Sequence, residues 1–134
     1  MTQGDLAQYW IETAEHDFIS MQHNFASGDY VWALFIGHLV IEKLLKACCV
    51  GARGMDIPRS HNLVYLAEIA KIETDERQKK CLASLTRFNV LTRYPDWQGR
   101  FYQAASREYT QEHVEIVKEL RAWLLHQLKQ SSRS

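Results

Sequence analysis

Apolar residues recur at helical spacing along most of the chain. Between Leu6 and about Ala26 they lie three or four positions apart, the repeat that places side chains on one face of an amphipathic helix. The segment from Tyr30 to about Val50 is apolar on most sides, which is typical of the central helix of a bundle. No segment alternates apolar and polar residues as a half-buried strand does, so the pattern predicts helices and no sheet.

Glycine, proline and capping residues divide this pattern into five predicted helices, at about 6–26, 30–50, 61–71, 75–91 and 110–130. Gly28 can take the left-handed conformation that follows a helix end. Asp29 and Thr74 can cap the second and fourth helices by accepting backbone N–H groups. Pro95 cannot continue the fourth helix, so residues 93–109 are predicted to form a long loop with a use beyond connection.

Helices joined mostly by short connections predict an all-α, antiparallel bundle of four to five helices. We expect a single domain over residues 1–130, followed by a flexible polar tail at residues 131–134. The chain has 134 residues, 46% of them hydrophobic and 24% charged, which suits one well-packed core.

The composition predicts a cytoplasmic protein without membrane association. No apolar run approaches the roughly 18–20 residues that cross a bilayer, and the N-terminus lacks the basic and apolar parts of a signal peptide. The three cysteines do not have the spacing of a metal site, so we expect reduced thiols in the core.

The net charge is zero, but the charges are segregated along the chain. Residues 1–42 carry six acids and no Lys or Arg, whereas residues 77–107 carry seven bases and one acid. Such segregation gives one face a positive field, unless the two segments pack side by side and cancel each other. The sequence leaves both arrangements open.

Helical bundles often hold carboxylate-bridged metals, and the sequence lacks the motifs for them. No Glu is followed three residues later by His, and neither His-Glu-x-x-His nor a glycine-rich phosphate loop occurs. His38, Glu42 and Lys46 form a polar stripe on the second helix, with Lys43 beside it. A hydrogen bond or salt bridge within the helix explains this spacing more simply than a metal does. We predict no metal and no cofactor.

Three segments resemble the HEPN family of nucleotide- and RNA-associated helical proteins. GDYVWALFIGHLVIEKLLKA at residues 28–47 is similar to the family's second helix, with its Gly-x-Tyr start, aromatic residue, His and Glu-Lys-x-x-Lys-Ala. PRSHNLVYL at residues 58–66 is similar to its Pro-x-x-His-x-Leu-x-x-Leu segment, and TRYPD at residues 92–96 to an Arg-Tyr-Pro-Asp subgroup. The resemblance implies a helical bundle, usually a homodimer, that pairs with a minimal nucleotidyltransferase in toxin–antitoxin style.

The Arg-Tyr-Pro-Asp turn is the first candidate site. Arg93 offers a planar fork that suits phosphate, and Tyr94 or Trp97 offers a face on which a base can stack. The predicted ligand-binding residues are Arg93, Tyr94, Asp96, His38, Glu42, Lys43 and His61. A structural alternative stays open, in which Arg93 and Asp96 tie the turn to Lys43 or Glu42 and His61 caps the third helix.

The second candidate site follows from the ribonucleases of the HEPN family, which carry Arg-x(4–6)-His. No His follows Arg93 at this spacing, but Arg107 and His113 fit it, with Thr110 as a helix cap between them. His113 would act as general acid–base and Arg107 would stabilise the phosphorane charge, with two copies meeting across a dimer. Such a spacing also arises easily by chance in a chain with six histidines.

The leading interpretation is therefore a dimeric nucleotide- or RNA-binding protein that acts with a nucleotidyltransferase-type partner. A metal-independent ribonuclease toxin and a purely structural interaction module are the two alternatives.

Overall fold

The computed structural model describes residues 1–92 and 95–132, and for residues 95–98 and 131–132 it describes the backbone alone. This part of the chain contains six helices and no strand: α1 (Gln3–Ala26), α2 (Tyr30–Arg53), α3 (Leu63–Ile69), α4 (Glu76–Leu91), α5 (Pro95–Ala104) and α6 (Arg107–Ser132). The predicted all-α helical bundle is confirmed, with one helix more than expected. None of the described helices is apolar over enough length to cross a membrane.

The predicted loop over residues 93–109 is wrong for most of its length, because α5 lies within it. Pro95 is the first residue of α5, where the absent N–H costs nothing and the fixed φ angle suits a helix. Gly99, in the middle of α5, weakens the helical signal in the sequence. The helix is held by Phe101, which is buried and stacks on Phe88 of α4 with ring centroids 5.4 Å apart.

Helix α6 is longer at both ends than the sequence predicts. Thr110 lies inside the helix and its hydroxyl donates to the Ser106 carbonyl at 2.7 Å, so its predicted capping role is wrong. Ser106 supplies the cap instead, since its hydroxyl oxygen accepts from the Tyr109 N–H at 3.1 Å. Residues 131 and 132, which were expected in the tail, are helical.

The other helix ends follow the predicted chemistry with small shifts. Asp75, rather than Thr74, caps α4 by accepting from the Gln78 N–H at 2.7 Å. Asp29 occupies the N-cap position of α2, but its side chain makes no capping hydrogen bond. Gly28 has the expected left-handed conformation, with φ of 85°.

Helix α2 lies at the centre of the bundle, as its apolar sequence predicts. It packs against α1, α3, α4 and α6, and most of its residues are buried. Gly37 allows a close approach of α1 and α6: a Cβ there would lie 3.0 Å from Val117 Cγ2 and 3.2 Å from Met21 Sδ. Packing against these four helices fixes the orientation of the polar stripe that α2 carries.

The cysteines are free thiols, as expected. Burial raises the pKa of the Cys48 thiol to about 12 and that of the Cys49 thiol to about 11. Cys49 also donates to the Leu66 carbonyl at 3.5 Å. Because the thiolate is the reactive form, neither residue is a nucleophile near neutral pH.

Candidate functional site

Glu42 is one of the predicted ligand-binding residues, and its side chain is 6% exposed. Two others, His38 and His61, lie close to its carboxylate. Its Oε1 accepts a hydrogen bond from Nδ1 of His61 at 2.7 Å and lies 3.6 Å from Nε2 of His38. Its Oε2 accepts from Nζ of Lys46 at 3.3 Å. We call His38, Glu42, Lys46 and His61 the Glu42 network. Their role in binding a ligand stays a prediction.

The sequence positions this network through one helix and one loop. His38, Glu42 and Lys46 are four residues apart, so they lie on one face of α2. His38 is fully buried, and its Nε2 lies 3.2 Å from the His61 carbonyl oxygen. Asn62, not His61, caps α3 by accepting from the Tyr65 N–H at 3.1 Å. The capping alternative for His61 is therefore wrong, and its ring is available to Glu42.

Within the described part of the chain, no group of His, Cys, Asp and Glu side chains is arranged to hold a metal ion. The carboxylate of Glu42 is already shared by Lys46 and His61. A cationic amine at this position suits a network that fixes side chains rather than one that coordinates a metal, since an ammonium group cannot be a ligand.

Of the remaining ligand-binding candidates, the structure describes Lys43, which does not join the network. Lys43 lies beside it in the sequence but is paired with Asp17 of α1, with Nζ 2.6 Å from Oδ2. Arg93 and Tyr94 lie outside the described residues, and so does the side chain of Asp96. Ligand binding by the Arg-Tyr-Pro-Asp segment therefore stays a prediction, and its Pro95 and Asp96 belong to the first turn of α5.

Arg107 and His113 lie on the same helix but face different neighbours. A six-residue separation puts them about 9 Å apart along the axis and roughly 120° apart around it. The guanidinium of Arg107 lies over the ring of Phe25, with Cζ 5.8 Å from the centroid. Within one chain the two groups do not converge, so a shared site needs a second chain. Their catalytic role stays untested.

His113 is 7% exposed and both of its ring nitrogens are engaged. Nδ1 lies 2.9 Å from the Tyr109 carbonyl oxygen, and Nε2 lies 3.3 Å from Oγ of Ser84 on α4. The ring of Tyr109 packs on His113 with centroids 4.4 Å apart, and burial raises the pKa of the Tyr109 hydroxyl. Sequence spacing does not predict this contact of Ser84, because only the packing of α4 on α6 brings its side chain to His113.

No ion pair among the described residues joins the acidic segment to the basic segment. Acids of residues 1–42 pair with bases outside residues 77–107: Glu15 with Arg121, Asp17 with Lys43, and Glu42 with Lys46. Helix α1 packs mainly on α2, whereas α4 contacts α2, α3, α5 and α6. The two segments are nevertheless in contact, since α4 packs on α2 and Arg107 lies over the ring of Phe25.

Most bases of residues 77–107 remain exposed. Arg77 pairs with Glu119 of α6 at 2.9 Å, and Nζ of Lys79 lies 3.8 Å from the carboxylate of Glu76. Exposed bases of this segment without an ion-pair partner among the described residues are Lys80, Arg87, Arg100 and Arg107, the last of which lies over the Phe25 ring. Lys80 and Arg87 are seven positions apart and so share one side of α4. We call Lys80 and Arg87 the basic face.

Comparison with known proteins identifies the fold. The model of the HEPN domain family matches residues 7–128. The crystal structure of TT1696 from Thermus thermophilus superposes with a TM-score of 0.76 at 23% identity, over 90% of this chain and 96% of that one. The structure of ST0689, an archaeal HEPN homologue, gives 0.71 at 22% identity, over 91% and 97%.

At these identities the two solved structures show a common fold and nothing finer. No curated protein matches the chain. The family model, in contrast, covers almost the whole sequence, including the helix that carries the Glu42 network. The chain belongs to the HEPN family.

Proposed function

We propose that this HEPN protein binds nucleotide or RNA as a cytoplasmic homodimer and works with a nucleotidyltransferase-type protein partner in a toxin–antitoxin-type system. The observation that carries the nucleic-acid part is the basic face, which remains uncompensated although the chain has no net charge. Exposed Lys and Arg side chains on one side of a helix attract the phosphate backbone. Arg93 and Tyr94 follow α4, the helix that bears this face, in the sequence, so Arg93 can add a phosphate fork and Tyr94 a stacking ring.

The basic face predicts RNA binding that weakens steeply with salt. For a single-stranded RNA, log K should fall against log salt with a slope of about 0.7 for each phosphate contacted. Replacing Lys80 and Arg87 by Glu should lower the affinity and reduce the slope by about one to two units, since two contacts are lost. Fluorescence anisotropy of a labelled oligonucleotide at several salt concentrations measures both quantities.

Lys118→Glu is the matched control for this experiment. Lys118 is an exposed lysine on α6, paired with Glu115 and outside residues 77–107. Its reversal should change the slope far less than the reversal of Lys80 and Arg87. If the double variant binds RNA with the affinity and slope of the parent, the basic face is not the binding surface.

The homodimer has support from α2, whose apolar surface is not fully covered in one chain. Trp32 is 46% exposed and makes an edge contact with Phe35, which is half-buried. Ile36 and Leu39 continue this stripe at helical spacing. Sedimentation at micromolar concentration should give twice the 15.7 kDa mass of the chain, with about 1,200–2,000 Å² buried in total. A species of monomer mass alone would contradict the dimer.

A metal-independent ribonuclease is the second candidate function, and one observation favours it. Nε2 of His113 faces the hydroxyl of Ser84, four residues after Lys80 and three before Arg87 on α4. A group able to transfer protons therefore lies beside the basic face, where a bound phosphodiester would pass. In this proposal Arg107 comes from the second chain of the dimer.

A further inference from the structure

A pocket of about 650 Å³ lies between the start of α1, the second half of α2 and the loop that joins α2 to α3. Its volume falls within the roughly 300–1,000 Å³ typical of small-molecule sites. Trp10 and Leu6 come from α1, and Lys46 comes from α2. The loop contributes residues 55–59 and His61. The pocket is separate from the basic face, since neither α4 nor α5 contributes a lining residue.

The pocket has a mostly apolar lining that also carries three basic side chains. Lys46 and Arg59 can donate hydrogen bonds to an anion, and Asp56 is the one acid among the described lining residues. His61 gives its Nδ1–H to Glu42, so it donates to an anion from Nε2 in its protonated form. Glu42 lies behind the wall and holds Lys46 at 3.3 Å and His61 at 2.7 Å. The Glu42 network therefore fixes two donors before any ligand arrives, which lowers the entropy cost of binding.

Trp10 adds an aromatic surface and a donor. Nζ of Lys46 lies 5.2 Å from the centroid of its ring, so the amine and the ring are neighbours in the wall. The indole N–H of Trp10 is buried and has no hydrogen-bond partner among the described residues. A buried donor without an acceptor is uncommon in folded proteins and points to a group that completes the site.

We propose that this pocket binds the phosphate group of a small phosphate ester of the nucleotide class. The phosphate lies between Lys46, Arg59 and His61, where charge-assisted hydrogen bonds are strongest. The ring of Trp10 packs on the remainder of the ligand, and Asp56 accepts from a sugar hydroxyl. The inference rests on the proposed nucleotide binding but assigns it to a surface other than the one proposed for RNA.

The test is a titration of the folded chain followed by NMR at the tryptophan indole groups. The Trp10 resonance is assigned by its loss in Trp10→Phe, with Trp32→Phe as the control at an exposed tryptophan. Adenosine monophosphate, ribose 5-phosphate, inorganic phosphate and adenosine are added separately. A saturable shift of the Trp10 signal is expected with the three phosphates and not with adenosine.

Arg59→Gln should weaken the binding of adenosine monophosphate at least about tenfold, as the loss of a charged hydrogen bond predicts. Arg53→Gln, at an exposed arginine of α2 outside the pocket, should leave it unchanged. Equal binding of adenosine and adenosine monophosphate, or an unshifted Trp10 signal, overturns the proposal.

The double reversal of Lys80 and Arg87 separates the two proposals, since it should weaken RNA binding and leave the Trp10 titration intact. If the ligand-dependent shift of the Trp10 signal is lost in this variant, the phosphate binds at the basic face and the proposed binding in the pocket is contradicted.

Discussion

Replacing Glu42 by Gln should lower the free energy of unfolding by about 2–3 kcal/mol. The substitution keeps the shape of the side chain but removes the charge that Lys46 and His61 share at 3.3 and 2.7 Å. Removing one partner of a buried ion pair costs about 3–5 kcal/mol, because the other charge is left uncompensated. The estimate is lower here since the side chain of His61 is 47% exposed. The melting temperature should fall by roughly 6–12 °C.

Glu119→Gln is the matched control, because Glu119 also pairs with a base, Arg77 at 2.9 Å, but its side chain is 58% exposed. An exposed pair contributes at most about 1 kcal/mol. Urea unfolding followed by circular dichroism gives both free energies on one scale. If the two variants lose the same stability, Glu42 does not organise a buried network.

The sequence predicts those parts of the fold that local periodicity determines. Helices α1, α2 and α4 and the central place of α2 follow from the spacing of apolar residues alone. Helix α5 does not, because Pro95 can end one helix or begin the next, and the choice depends on the packing of Phe101 on Phe88. Gly99 removes the remaining helical signal from the segment.

The candidate site likewise combines contacts that local spacing predicts with contacts that depend on the fold. His38 and Glu42 are on one face because they are four residues apart, which the sequence alone shows. The contact of Glu42 with His61 spans nineteen residues and depends on the course of the loop between α2 and α3. The spacing of Arg107 and His113 matches a family motif, but it says nothing about burial or about which way each side chain points. Lys43 was predicted from its adjacency to Glu42, although adjacent residues on a helix point about 100° apart.

Arg93→Ala should reduce RNA affinity more than any other single substitution while the helical circular dichroism signal stays unchanged. Arg93 is predicted to bind phosphate with two parallel N–H groups, a geometry that lysine cannot reproduce. Arg93→Lys should therefore recover the charge but only part of the affinity. Arg107→Ala should change binding little, because its side chain lies over Phe25.

The two alternatives predict different patterns in the same variants. A ribonuclease inverts the ranking, and cleavage of RNA falls equally in Arg107→Ala and His113→Ala, because the two groups act as one unit. A structural module predicts a fall of a few degrees in melting temperature for Arg93→Ala and Asp96→Ala, as ~1 kcal/mol gives in a domain of this size, with no effect on binding.

RNA binding at the Arg-Tyr-Pro-Asp segment and the basic face is tested most directly with the Arg93→Ala variant. Its affinity for single-stranded RNA is measured by fluorescence anisotropy and compared with the affinities of the parent and of Arg107→Ala. The proposal predicts a loss of at least about tenfold for Arg93→Ala, the effect of a lost charged hydrogen bond, and near-parental binding for Arg107→Ala. Parental affinity in Arg93→Ala would contradict it.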